Sequence, residues 1–419
     1  MERGTKVGGR RVVITGIGAV TPIGVGKKEY WEGLKAGTSG VTYISGFDPT
    51  GLPSRIAGEV KEFDPLLFVE RKEARRMDRF CQFAVAASRM ALEDARLNTD
   101  GLGPGFGVLV ATGIGGLSTF EKQYRNLLEK GPARVSPLTI PMMIPNMASA
   151  QVAIVTGAKG PCTTVVTACA SGSHGIGDAC EIIKRGDADA MIAGGAEASV
   201  SSLGVAGFCA MGALSKRNDD PAAASRPFDR ERDGFVIGEG AGIVILEERV
   251  RAVARGAHIY GEVTGYGMAG EATHIAGLAP DGDGLVRAME AALNRAGRRP
   301  DDIDYINAHG TSTPLNDPVE TLAVKRVFGE RAYRMPVSST KSMTGHCLGA
   351  SGGMEAIACL LALEEGVIPP TINYEFPDES CDLDYVPNEA RRSQVRVAMT
   401  NSQGFGGHCA SLVIEAHSA

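Results

Sequence analysis

Short β-branched runs alternate with helix-like stretches from one end of the chain to the other, and that rhythm confines it to the α/β folds. Strand-like runs fall at 11–15, 107–111, 163–167, 190–193, 242–246, 303–307 and 395–400. No Pro/Ser-rich linker or low-complexity tract divides them, and the nearest thing to a seam is the charged segment 247–256, which reads as a helix. Two halves, 1–256 and 257–419, packed as one body are therefore expected. An internal echo supports the division. VVTACASGSHGIGDACEIIKRGDADAMIAGG (165–195) and VSSTKSMTGHCLGASGGMEAIACLLALEEGVIPP (337–370) each read as strand, small-residue turn, helix and return strand. Any two βα units share that outline, so the echo fits either coincidence or a duplicated fold. On the second reading a pseudo-twofold brings both helix starts to one centre, with Cys169 in one turn and His346 in the other.

Composition narrows the function classes. With 419 residues and 43% hydrophobic content the chain can fill a large core without staples. Its 43 basic and 49 acidic residues leave a net charge of -6, which offers no footprint for nucleic acid or an anionic membrane. Nine cysteines, an odd number with no CxxC pair, read as reduced thiols in a cytoplasm. The N-terminus carries basic residues and then a short apolar run broken by glycines, the pattern of a first buried strand rather than a signal peptide. No run approaches the roughly 20 apolar residues of a membrane helix, so membrane insertion is not expected.

Cys169 follows a β-branched strand and precedes small residues, which puts it in a tight turn opening a helix. Unpaired N–H groups at a helix start favour a thiolate. Free cysteine is more often a buried, inert residue, so context alone does not single it out. The histidines add weight. Of seven, His309 in NAHGTSTPLND and His346 in STKSMTGHCLGASGG lie in heavily punctuated segments after strands, whereas His174, His258, His274 and His417 read as ordinary surface or core residues. No HxxxH, HExxH or paired-cysteine spacing accompanies them, which argues against zinc.

TACASG, NAHGTSTP, SSTKSMTGH and NSQGFGG stand here in the order and spacing of the β-ketoacyl-acyl carrier protein synthases, and the chain most resembles their type II elongation enzymes. The likeness runs from VVITGIGAVTPIG through SRPFDRERDGFVIGEGAG to the C-terminus. It implies a duplicated thiolase-like fold, layered α-β-α-β-α around two mixed five-stranded sheets, and a homodimer. It also implies a decarboxylative Claisen condensation between an acyl group and malonyl-acyl carrier protein. No cofactor is required, because phosphopantetheine arrives on the carrier.

The resemblance assigns roles by position. Cys169 carries the acyl thioester, the N–H groups of Cys169 and Phe405 form the oxyanion hole, and His309 and His346 bind the enolate oxygen. Lys341 pairs with Glu320 and tunes the histidines. Thr311 and Thr313 bond the phosphopantetheine arm, Phe405 gates the site, and Ile114 and Phe208 line the acyl pocket. Asn307, Glu355 and Asn401 match a site for Na or K in some relatives. Three departures stand near the site: Gln403 replaces an aromatic residue, His408–Cys409 replace Thr–Asn, and Ala276, close to His274, stands where elongation enzymes carry a hydroxyl that assists the substrate. They are either neutral drift or the mark of another acyl chain, which makes a ketosynthase of a type II polyketide or aryl-polyene pathway the alternative. The intact cysteine argues against a chain-length-factor subunit. Two histidines argue against a thiolase, and the complete triad against a non-catalytic scaffold.

Overall fold

The computed structural model describes residues 9–99 and 102–417; the basic segment 1–8, part of the N-terminal stretch considered above, lies outside them. The first half supplies β1 (Val12–Thr21), α1 (Arg79–Asp94), β2 (Phe106–Ala111), β3 (Cys162–Thr163), α2 (Ser171–Arg185), β4 (Ala190–Glu197) and β5 (Gly240–Glu248). The second supplies β6 (Gly261–Gly270), α3 (Asp283–Ala296), β7 (Tyr305–Asn307), α4 (Asn316–Phe328), β8 (Val337–Ser338), α5 (Ser351–Glu365), β9 (Val397–Gly404) and β10 (His408–Glu415). The sheet orders are β3-β2-β4-β5-β1 and β8-β7-β9-β10-β6. Each strand of the second half thus takes the place of the strand five before it. The hydrogen-bond senses repeat too. The pairs β2–β3, β2–β4, β7–β8 and β7–β9 are parallel, while β4–β5, β1–β5, β9–β10 and β6–β10 are antiparallel. The internal echo is a duplication, and each copy is a mixed five-stranded sheet. The two sheets join through an antiparallel contact of Val13 with Glu262 and Ile14 with Gly261.

Helices α2 and α5 fill the layer between the sheets, α1 covers the far side of the first sheet, and α3 the far side of the second. From Ser351 to Leu363 every residue of α5 is buried, as an all-round apolar and small-residue helix at the centre of a domain must be. The outer helices approach their sheets through glycines. A Cβ at Gly16 or Gly18 of β1 would lie 2.2 or 1.9 Å from the carbonyl oxygens of Ala91 and Ala87 on α1. Gly265 and Gly267 of β6 stand in the same relation to Ala292 and Ala288 on α3, at 2.2 and 1.9 Å. Close helix-on-strand packing therefore requires the glycines that weaken the strand pattern in sequence. That explains the failure to anticipate β6, with its GEVTGYGMAG. The expected strand 163–167 is cut short, since only Cys162–Thr163 pairs and the chain then leaves the sheet to build the turn around Cys169.

Candidate active site

Ala168–Ala170 forms a 3-10 turn that leads directly into α2, and Ala168 holds φ at 50°, left-handed backbone that a non-glycine residue adopts at a cost of about 1–2 kcal/mol. The second copy repeats it: Leu348–Ala350 is a 3-10 turn leading into α5, with Leu348 at φ 46°. The two helix starts meet without side chains between them, because a Cβ at Gly352 would lie 2.3 Å from the Ser173 nitrogen. Cys169 is consequently carried to the centre of the molecule. It borders a cavity of about 430 Å³ together with His309, His346, Phe208, Thr311, Thr313 and Phe405.

Both histidines are held by their backbones. The N–H groups of His309 and Gly310 donate to the two carboxylate oxygens of Glu320 on α4 at 2.8 and 2.7 Å. The His346 N–H donates to the Val236 carbonyl at 2.7 Å. His346 Nδ1 lies 3.1 Å from the Ser351 hydroxyl, which leaves Nε2 for the cavity. The rings stand 5.3 Å apart at 84°. Burial, reinforced by the Lys341 ammonium, pushes both imidazoles well below their ordinary pKa, so both are neutral near pH 7. The Cys169 thiol is pushed up to about 12, chiefly by burial, with Lys341 opposing. The thiolate expected from the helix start is thus outweighed by desolvation, and the thiol enters the reaction protonated.

Several expectations need correction. Lys341 pairs with Glu355, not with Glu320; both side chains of the pair are 2% exposed. Glu320 is spent on the backbone of the His309 turn, with burial raising its pKa to about 7. Ile114 does not border the cavity, and it lies 38% exposed in the Gly113–Gly116 turn. Gln403, one of the departures near the site, is a buried residue of β9. Of the three cation candidates, Asn307 Oδ1 and Glu355 Oε2 are buried without partners, while Asn401 Oδ1 accepts from Ser411. Two free hard oxygens fit a monovalent cation; the third is already engaged.

Phe405 stands next to Gly404, whose absent Cβ would fall 2.5 Å from the Thr167 carbonyl and 3.1 Å from the Cys169 nitrogen. The backbone before Phe405 therefore lies directly against the nucleophile's turn. The Phe405 ring is 6.4 Å from Phe208, and Gly406 and Gly407 follow at φ 87° and 77°. The Thr311 and Thr313 hydroxyls bond each other at 3.0 Å.

Two supporting residues escaped the sequence reading. His174, taken there as ordinary, holds the Thr167 hydroxyl at 2.7 Å through Nδ1 and so braces the turn two residues before the nucleophile. Glu197 accepts from Thr112, Gly113 and Gly349, tying the first half's strand end to the second half's turn. The spacing of His174 from Cys169, just over one helical turn along α2, was the available signal for the first. Nothing local marks the second.

A profile of the beta-ketoacyl synthase N-terminal domain matches residues 9–252, and one of the C-terminal domain matches 260–375. Over 407 residues the chain is 56% identical to the 3-oxoacyl-[acyl-carrier-protein] synthase 2 of Synechocystis sp., covering 97% of this chain and 98% of that protein. The enzyme of the same name from Staphylococcus aureus is 52% identical, with the same coverage. Among solved structures, the ishigamide ketosynthase/chain length factor superposes with a TM-score of 0.92 at 39% identity over 98% of this chain and all of that one. A type II polyketide ketosynthase in complex with its acyl-carrier protein gives 0.91 at 38%, with the same coverage. A thiol and two neutral imidazoles around one cavity in a duplicated α/β fold, matched along nearly its whole length, place this chain in the β-ketoacyl synthase family.

Proposed function

We propose that the chain elongates fatty acyl groups by decarboxylative condensation of an acyl-Cys169 thioester with malonyl-acyl carrier protein. The observation that carries this reading is the pair of neutral imidazoles 5.3 Å apart beside a buried thiol. In the first half-reaction the Cys169 sulfur attacks the acyl thioester of the carrier. Because the thiol is protonated, its proton passes to a neutral imidazole as the new C–S bond forms, and the imidazole hands it to the carrier's sulfur as the old C–S bond breaks and the carrier's thiol leaves. The N–H groups of Cys169 and Phe405 receive the tetrahedral oxyanion. In the second, the bond between C2 of the malonyl unit and its carboxyl carbon breaks. Carbon dioxide leaves, and the electron pair becomes an enolate whose oxygen lies between His309 and His346. Neutral donors suit this task, since a dry cavity strengthens them and they hold no carboxylate in a ground-state ion pair. The enolate carbon then attacks the acyl carbonyl, the bond to Cys169 breaks, and the released sulfur takes up a proton from solvent.

Thr311 and Thr313 at the cavity wall would hold the phosphopantetheine arm of the carrier. A monovalent cation held by Asn307 Oδ1 and Glu355 Oε2 would offset carboxylate charge beside Lys341. The chain works as a homodimer on this reading. The edge strand β3 has partners on one side only, and Ile154, on a helix packed against it, and Val166, three residues beyond it, expose apolar surface, which suits continuation of the sheet into a second copy. Among the described residues no helix is long and apolar enough to cross a membrane, and we assign the enzyme to the cytoplasm. A polyketide substrate is the weaker reading, since the solved ketosynthases of that kind are less similar than the elongation enzymes. Elongation of acyl-carrier thioesters with malonyl-carrier protein, followed by mass spectrometry, tests the assignment. Cys169→Ala abolishes condensation, and His309→Ala or His346→Ala suppresses release of carbon dioxide. Carbon dioxide release retained in both histidine variants would sink the two-donor mechanism.

A further inference from the structure

We infer that Gln403 receives the free carboxylate of the extender unit, a dicarboxylic half-thioester, and so strengthens binding of the second substrate. The inference rests on the condensation reading above. Gln403 lies near the end of β9, is 2% exposed, borders the cavity that contains Cys169, His309 and His346, and has no partner for either end of its carboxamide. Burying an amide unpaired costs about 1–3 kcal/mol, so a partner is expected to arrive from outside the chain. The other amide and hydroxyl side chains on the cavity wall are engaged: Thr311 with Thr313, and the Asn316 amide with Asp317 and Glu320. Gln403 is the uncommitted one.

Its direction follows from the strand. Ser402 bonds Ser173 on α2, and Gly404 abuts the turn of Cys169. Alternation turns Gln403 to the opposite face, the one it shares with its cross-strand neighbour Cys409. Glu271 approaches the Cys409 sulfur on that face, and the segment continuing from it closes the cavity with Ala276, Gly277 and Leu278. Gln403 therefore looks away from the acyl-thioester side and towards this segment. Ala276, where related elongation enzymes carry a hydroxyl, supplies no side-chain donor here.

The chemistry of the second half-reaction matches. A carboxylate must enter a cavity whose wall includes no Lys or Arg and whose two buried histidines, His309 and His346, are neutral. The imidazole donors are taken up by the thioester oxygen, so without a further donor the carboxylate's desolvation would oppose binding. A cation there would stabilise the carboxylate in the ground state and oppose its loss as carbon dioxide. A neutral carboxamide N–H holds the group and releases it.

The test compares two half-reactions in the full-length enzyme: acylation of Cys169 by acyl-carrier protein, and release of carbon dioxide from malonyl-carrier protein. Gln403→Leu raises KM for the malonyl substrate roughly 10- to 100-fold, the value of a hydrogen bond to a charged group, and changes the acylation rate by less than about twofold. Gln403→Glu raises that KM further and makes it increase with pH as the new carboxylate ionises. An unchanged malonyl KM in both variants overturns the inference, and so does a parallel loss of acylation, which would mark a purely structural residue. Absence of carbon dioxide release by the wild-type enzyme is a separate result, because it removes the condensation reading itself.

Discussion

Replacing Lys341 with Met removes the one ammonium that biases the charge state of all three reacting groups. Its side chain and that of Glu355 are each 2% exposed, and Glu355 Oε2 has no partner even with the pair intact. Lys341→Met therefore strands a carboxylate in the core, and removing one member of a buried pair costs about 3–5 kcal/mol. Protonation of Glu355 limits that cost, since burial already raises its pKa and Lys341 is the cause that opposes the rise. A second change, Glu355→Leu, removes the stranded carboxylate, so the double variant should regain at least about 1–2 kcal/mol over Lys341→Met alone. Denaturant titrations of the four proteins measure this coupling. The catalytic consequence has a definite sign. After burial, Lys341 is the strongest influence depressing both imidazoles. Without it they protonate at higher pH, and the acid limb of malonyl decarboxylation shifts upward. A single variant as stable as wild type, a double variant no better than the single, or an unmoved acid limb would each refute the reasoning.

Two further outcomes follow from the same geometry. Gly404→Ala puts a Cβ 2.5 Å from the Thr167 carbonyl and must displace the Cys169 turn; acylation measured by intact-protein mass spectrometry should slow on the order of 100-fold, the typical cost of misplacing a reacting group by about an ångström. The depressed histidines also make stability depend on pH. Their folded pKa lies below the unfolded value of 6.5, so the unfolded chain binds more protons in acid, and the contribution present above about pH 6.5 is lost as pH falls. Denaturant midpoints taken between about pH 7.5 and about pH 5 should decline less in a His309→Asn/His346→Asn protein than in wild type, and equal declines would contradict the assignment.

Punctuated turns made the site legible in the sequence. Cys169, His309 and His346 stand out because a turn that must deliver a side chain to a shared centre is built from small residues, and those leave a trace. The layered, duplicated architecture was legible for a related reason, since the two strand-turn-helix units retain their outline. What stayed hidden depends on distance through space. The Lys341–Glu355 pair joins a short helix to α5, and Glu197 reaches across both halves to Gly349. Neither contact has a local pattern. The rise in the Cys169 pKa was not legible because a helix start is visible in sequence, whereas full desolvation is a property of the assembled core. Strands β6 and β10 were missed because their cores are glycine, alanine and serine as much as branched residues, chosen by the closeness of the layer above.

The duplicated turn has one more implication. Counting from the first residue of each 3-10 turn, the position that holds Cys169 in the first copy holds Gly349 in the second. A side chain cannot be accepted there, since a Cβ would sit 2.2 Å from the Gly113 nitrogen. The scaffold is twofold while the chemistry is not: one copy has room for a nucleophile and the other is sterically barred from one. Each chain can therefore load a single acyl group. The second copy instead brings His346 to the same cavity from the segment just before its turn, so two otherwise equivalent corners present different groups to one site.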